Sequence, residues 1–306
     1  MSTFSEPKID CHAHVLDPVR FPYGADIQYK PAGQEIGTPA QFRQIMKTYG
    51  VDHALLVQPN SGYGGDNSCM LDTIARSGGR LKGIAIIPFN ADLAALKKLK
   101  DQGILGAAFN PTFHGIDYYE HAGDLIARLA ELDMFLQIQT EHHQLLRFVP
   151  WIEATSVRVL IDHCGRPTIA AGLNQPGFQA LLRLARTRRV SVKLSGYAKF
   201  SLMPYPFEDT WPFVRAIVDA FTLDGCMWAS DWPFLRAPQR QDYGPLVELV
   251  EMLFPDPADR RALFTARRAA CSALLIRRST NSAGEPRARH AAINAAVFRR
   301  ICRGSV

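Results

Sequence analysis

Three short segments concentrate the side chains that could do chemistry. Near the start, Ile9-Asp10-Cys11-His12-Ala13-His14 sets two imidazoles two positions apart. In an extended chain that spacing puts both on one side, where they can bind a metal ion or polarise a carbonyl. At mid-chain the apolar run Val159-Leu160-Ile161 breaks into Asp162-His163-Cys164-Gly165-Arg166-Pro167. Later, Met227-Trp228-Ala229 runs into Ser230-Asp231-Trp232-Pro233, a carboxylate bracketed by two tryptophans. Burial beside aromatic rings raises a carboxyl pKa and suits a general base, while a nearby imidazolium or metal charge lowers it again. Taken singly, each residue has an ordinary structural role: a strand-end Asp caps a helix, and a lone His hydrogen-bonds in a core. Taken jointly, His12, His14, His163 and Asp231, each at the end of an apolar run, point to hydrolytic chemistry.

These residues act together only if the chain brings the ends of their runs to one place. Short β-branched or aliphatic runs alternate with helical patterns along the chain, the rhythm of βα units around a parallel sheet. The sequence predicts strands at 9–13, 53–58, 81–87, 105–109, 135–139, 157–161, 190–194 and 225–229. Between them, Thr38 and Pro39 open a helix as N-cap and first-turn proline, and Phe42, Ile45, Met46 and Tyr49 stripe it before Gly50. Leu93, Leu96 and Leu99 stripe another before Gly103, and Trp211, Val214, Ile217, Val218 and Phe221 a third. Residues 258–276 are expected to return over strand one.

Eight strands with intervening helices close as a single-domain α/β structure, a (β/α)8 TIM barrel; an open doubly wound sheet is the alternative. In such a barrel the active site lies at the C-terminal ends of the strands. The three polar segments fall there, after strands one, six and eight. No GxGxxG or GxxxxGK[ST] follows a strand, so a nucleotide-binding reading has no motif to rest on.

A chain of 306 residues that is 47% hydrophobic can bury the core of one barrel. Six cysteines with no CxxC pair fit reduced thiols better than a disulfide frame or a structural zinc site. Met1 to Lys8 is polar, without the apolar run of a signal peptide or membrane segment, and the expected location is cytoplasmic. The pI is near 9.0, which suggests nucleic acid until the charge is located. From Arg277 onward seven arginines stand against one acid, Glu285, a surplus equal to the whole net charge of +6. Residues 1–276 are electrically balanced and give no electrostatic case for a nucleic-acid partner. The expected plan is a barrel over 1–278 and a basic Arg/Ala-rich tail over 279–306, a mobile or partly helical appendage or else a tether to RNA or membrane.

With Val57-Gln58-Pro59-Asn60 and Phe109-Asn110-Pro111 in between, the three segments resemble the amidohydrolase superfamily over about Ile9 to Ile276. The likeness is to its amidohydrolase-2 branch, and within it to the 2-pyrone-4,6-dicarboxylate hydrolases and similar lactonases. The resemblance implies a distorted (β/α)8 barrel in which Asp231 deprotonates water while His12, His14 and His163 polarise a lactone carbonyl and stabilise the oxyanion. It matches Tyr29, in the loop Asp26 to Pro31, with a tyrosine that touches substrate. Asn60, Ser61, Asn110, His114, Arg166 and Lys199 complete the expected substrate-binding set.

Where these hydrolases carry carboxylate-gripping arginines, this chain has Ala108, His114 and Lys199. Loss of forked guanidiniums removes bidentate carboxylate recognition. A substrate with fewer carboxylates, or a sugar lactone, is therefore expected.

The family's metal sites supply the rival. Two-metal members use a carboxylated lysine after strand four, which this chain lacks, and one-metal members add a histidine at strand five. Here His142 and His143 fall three or four residues beyond strand five, at the start of a helix, which leaves the ligand set incomplete. The leading expectation is a lactone hydrolase with a small-molecule substrate, no cofactor, and compatibility with a homo-oligomer. The rival is a zinc- or manganese-dependent decarboxylase or hydratase, with His12, His14, Asp231 and His142 or His143 around one ion. A third reading is an inactive barrel that serves as a binding protein.

Overall fold

Strands buried on both faces read as continuous apolar runs, and the eight runs are the eight strands of the computed structural model, which describes residues 3–265. They are β1 (Lys8–Ala13), β2 (Val51–Val57), β3 (Leu81–Ala85), β4 (Ile104–Phe109), β5 (Phe135–Ile138), β6 (Arg158–Ile161), β7 (Val190–Leu194) and β8 (Cys226–Trp228). All seven ladders are parallel and follow chain order from β1 to β8. The edges β8 and β1 meet through one bridge, Ala13 to Trp232. The Asp231 amide donates to His12 O at 2.9 Å and the His14 amide to Trp232 O at 2.7 Å. The result is a nearly closed (β/α)8 barrel.

Alternate strand positions divide the core in two. Cys11, Leu55, Ile84, Phe135, Leu160 and Met227 belong to a small cluster that fills the barrel interior. Residues of opposite parity, such as Ala54, Leu56, Val159, Ile161 and Trp228, join the larger core between strands and helices. β1 breaks this alternation: Asp10 pairs with Ala54 and Ala13 with Leu56, so one extra β1 residue is accommodated between them. Such a bulge re-aims the side chains that follow. Ile9 and Cys11 face inward and Ala13 outward, so His12 and His14 are turned back toward the axis.

The helices form where cap and stripe predict. Thr38 and Gln41 make a reciprocal capping box at the start of Pro39–Thr48, which buries Phe42 and Met46. Asp92 caps Leu93–Asp101, and Trp211–Phe221 buries Phe213, Val214, Ile217 and Phe221. The helix Pro257–Thr265 packs Phe264 against Trp228 at 5.5 Å and thus covers β8 and β1. The rest of the expected 258–276 cover and the 279–306 tail lie outside the described residues. Among the described residues, no helix is long and apolar enough to cross a membrane.

Candidate active site

The bulge delivers His12 and His14 from β1. His163 follows β6 in a turn whose four residues His163, Cys164, Gly165 and Arg166 all have φ between 43° and 72°. Gly196, after β7, makes room for it: a Cβ at that position would lie 2.6 Å from the His163 ring. Asp231 also has a left-handed backbone, φ 62°, which costs a non-glycine residue about 1–2 kcal/mol. The Asp10 carboxylate offsets this by accepting from Ser230 N at 2.9 Å, Ser230 Oγ at 2.6 Å and Tyr243 Oη at 2.9 Å. It pins the peptide that aims Asp231.

Each imidazole is held from behind at Nδ1 and presents Nε2 to a common centre. His14 Nδ1 donates to Val57 O at 2.7 Å, and His163 Nδ1 lies 3.0 Å from Ser195 Oγ. His12 Nδ1 lies 3.3 Å from Asp162 Oδ1 and 3.2 Å from Lys193 Nζ. At the centre, Asp231 Oδ1 stands 3.7, 3.5 and 3.6 Å from Nε2 of His12, His14 and His163. His12 and His14 are 3.2 Å apart at Nε2. Asp231 Oδ2 forms an ion pair with Lys199 at 3.0 Å. Asp231 Oδ1 and His163 Nε2 are buried without a hydrogen-bond partner, an arrangement that awaits a ligand.

Burial pulls His12 down to about 4 and His163 down to about 3, so both rings are neutral at neutral pH. Burial alone would raise Asp231, but the Lys199 ammonium is the largest opposing influence and the carboxyl is held well below its usual range. The tryptophans do not act on this carboxylate as their sequence positions suggest. Trp228 packs outward on Tyr243 and Phe264, and Trp232 stacks on Phe42 at 5.2 Å.

Above this floor opens a cavity of about 420 Å³, with Asn60, Ser61, Asn110, Arg166, Lys199 and Arg236 in its wall. Arg166 is paired with Glu141 at 3.0 Å. Three expected residues sit elsewhere. Tyr29 is outside the wall: its hydroxyl donates to Glu35, and its ring lies 5.3 Å under the Arg236 guanidinium. His114 is one layer back, held by Asn60 at 2.8 Å. His142 bonds Thr168 Oγ1 at 2.8 Å and joins no ligand cluster.

Residues 9–266 match the family model described as Amidohydrolase. The chain belongs to the amidohydrolase family. It is 32% identical to a 4-sulfomuconolactone hydrolase of Rhizobium radiobacter, across 85% of this chain and 89% of that protein. It is 27% identical to a 2-pyrone-4,6-dicarboxylate hydrolase of Comamonas testosteroni, across 81% and 84%. Among solved structures, the fold resembles a probable 2-pyrone-4,6-dicarboxylic acid hydrolase of Acinetobacter baumannii, with TM-score 0.77, 24% identity and coverage of 85% and 96%.

The donor set of this amidohydrolase fits a divalent ion. Ligands at about 2.1 Å in a tetrahedron stand ~3.4 Å apart, and the Nε2 and Oδ1 separations of 3.2 to 3.7 Å bracket that value. Among the described residues, the groupings able to hold an ion are His12, His14 and Asp231, and His12, Asp162 and His163.

The sequence reading passed over the second layer of this amidohydrolase: Gln137 on β5, Asp162 after β6, Lys193 on β7 and Ser195. A signal existed for two of them. Lys193 and Gln137 are polar residues inside strands buried along their whole length, where a polar side chain requires a buried partner. Arg236 and Ser195 carried no comparable signal.

Proposed function

We propose that this amidohydrolase opens the ring of a lactone, or a similar cyclic ester, on a small anionic metabolite. The observation that carries this reading is the convergence of one unpartnered carboxylate oxygen, Asp231 Oδ1, with three imidazole Nε2 atoms under an open cavity. Water placed there gives its proton to Asp231 as its oxygen bonds to the carbonyl carbon. Imidazole N–H groups stabilise the oxyanion. Collapse breaks the bond to the ring oxygen, which takes the proton back from Asp231 and leaves a hydroxy acid.

Arg166 and Arg236 beside Lys199 suit an anionic substrate. Two of these three cations already face acids, Glu141 and Asp231, which favours one acidic group over two. The hydrolases of sulfomuconolactone and pyrone dicarboxylate among its relatives support the same class. Asn60, Ser61 and Asn110 would contact the uncharged part of the substrate, and Tyr29 and His114 would act by holding Arg236 and Asn60. We take the reaction to be metal-independent. Were a divalent ion bound, His12, His14 and Asp231 would hold it, and it would supply Lewis-acid polarisation of the carbonyl. We place the enzyme in the cytoplasm, in keeping with the buried reduced thiols of Cys69, Cys164 and Cys226.

The test pairs elemental mass spectrometry, on protein purified without chelator, with a panel of lactones bearing one carboxylate or sulfonate. Trace metal and turnover that Asp231→Asn abolishes are expected. Near one equivalent of zinc or manganese, with activity lost on chelation, overturns the metal-independent mode. A panel without turnover overturns the substrate class.

A further inference from the structure

Beneath the site lies a cationic side chain that the reaction above does not use. Lys193 is fully buried, and its Nζ meets Gln137 Oε1 at 2.6 Å, Asp162 Oδ1 at 3.1 Å and His12 Nδ1 at 3.2 Å. An ammonium has three N–H donors and no acceptor, so these three atoms satisfy it completely. Asp162 is satisfied too, since its Oδ2 accepts from Gln137 Nε2 at 2.8 Å. Asp162 Oδ1 also lies 3.3 Å from His12 Nδ1, but it already accepts from Lys193, so the ammonium keeps all three partners only if His12 Nδ1 is a lone pair. A proton on Nδ1 would set two donors head to head at 3.2 Å and leave one N–H of a buried ammonium unbonded, which is costly.

The far side of the ring gives the same answer independently. His14 Nδ1 faces a carbonyl oxygen, Val57 O, which only accepts, so a neutral His14 carries its proton on Nδ1 and a lone pair on Nε2. That lone pair lies 3.2 Å from His12 Nε2. Were His12 also unprotonated at Nε2, two lone pairs would confront each other.

We infer that Lys193 is a positioning residue that holds His12 as the Nε2–H tautomer, and that a one-way chain of donors runs from Lys193 through His12 and His14 to Val57 O. Its direction is set at one end by an ammonium that cannot accept and at the other by a carbonyl that cannot donate. Hydrogen bonds aligned in this way polarise one another. His12 and His14 are thereby unequal: His12 is the donor toward the reaction centre and His14 the acceptor. This division of labour rests on the hydrolytic reading, whereas the tautomer assignment rests on hydrogen-bond geometry alone. It also bears on the ion, because a His12 protonated at Nε2 cannot ligate through that atom. To bind one, the ring must move its proton to Nδ1, against Lys193.

Nitrogen NMR of the full chain, labelled with 15N-histidine and stripped of metal with chelator, reads the tautomers without any substrate. The His12 signals are identified by their loss in His12→Gln. The expected spectrum shows His12 protonated at Nε2 and His14 at Nδ1. His12 protonated at Nδ1 in the wild-type chain overturns the inference, whether or not any lactone is turned over. In Lys193→Met the His12 proton moves to Nδ1, facing Asp162 Oδ1, and kcat falls about 10–100-fold with KM changed far less. A folded Lys193→Met protein that keeps the wild-type His12 tautomer also overturns it. Because that variant leaves Asp162 buried without its cation, the wild-type spectrum decides the matter if the variant does not fold.

Discussion

Replacement of Asp231 by asparagine removes the proposed base while it preserves size. Oδ2 of Asp231 accepts from Lys199 at 3.0 Å, and Oδ1 faces three Nε2 atoms at 3.5 to 3.7 Å. The asparagine carbonyl can keep the Lys199 contact, which turns its NH2 toward the lone pair of His14. The fold is therefore retained and a proton acceptor becomes a donor. General-base catalysis contributes about 10²–10⁴-fold, or roughly 3–5 kcal/mol of barrier at 1.36 kcal/mol per tenfold. The expected result on the best lactone of the panel is a fall in kcat of two to four orders of magnitude, with KM nearly unchanged. Circular dichroism and the thermal midpoint verify that the variant is folded. A folded Asp231→Asn protein that keeps more than a tenth of wild-type kcat refutes the assignment of Asp231 as base.

Three further outcomes follow from the same geometry. Lys199→Met leaves burial to act on Asp231 without its nearest cation, so the acid limb of kcat/KM should move upward by about 1–3 pH units; an unmoved limb in a folded variant contradicts the electrostatic role of Lys199. Arg166→Ala removes a charge-assisted contact worth about 1.5–3 kcal/mol and should raise KM about 10–100-fold for an anionic lactone, yet leave an uncharged lactone nearly unaffected. His12 and His163 have native pKa values below that of an unfolded histidine, about 4 and about 3. Their contribution to stability is therefore complete above about pH 6.5 and drains away as pH falls toward those values. The urea midpoint should be steady between pH 7 and 8 and decline once pH drops below about 6; a midpoint flat down to pH 4 would contradict neutral burial of both rings.

The barrel was legible because its strands are buried on both faces. Ile104–Phe109 has neighbours on both faces and reads as an unbroken apolar run. Likewise, the helix at Pro39 declares itself through local cap chemistry that needs no tertiary partner. His12, His14, His163 and Asp231 stood out as titratable residues at the ends of apolar runs. Tyr29, His114 and His142 did not take the expected places, because loop side chains are placed by whichever distant group they meet: Glu35 and Arg236, Asn60, and Thr168. The two tryptophans beside Asp231 misled for a related reason. Trp228 faces outward by the alternation of β8, and Trp232 follows the left-handed turn at Asp231, so both rings pack in the outer core away from the carboxylate.

The sequence by itself determined the order of strands, the side-chain types at their mouths and the electrical balance of residues 1–276. Only the tertiary structure decided which way those side chains point. Strict alternation from the inward-facing Ile9 and Cys11 would turn His12 and His14 away from the axis. The extra residue between Asp10 and Ala13 reverses them, and its place is set by the pairing of β1 with β2 and by the clasp of Asp10 on Ser230. Parity along a strand is a local property, but a bulge is fixed by the neighbouring strand, so no pattern within residues 8–14 could reveal it.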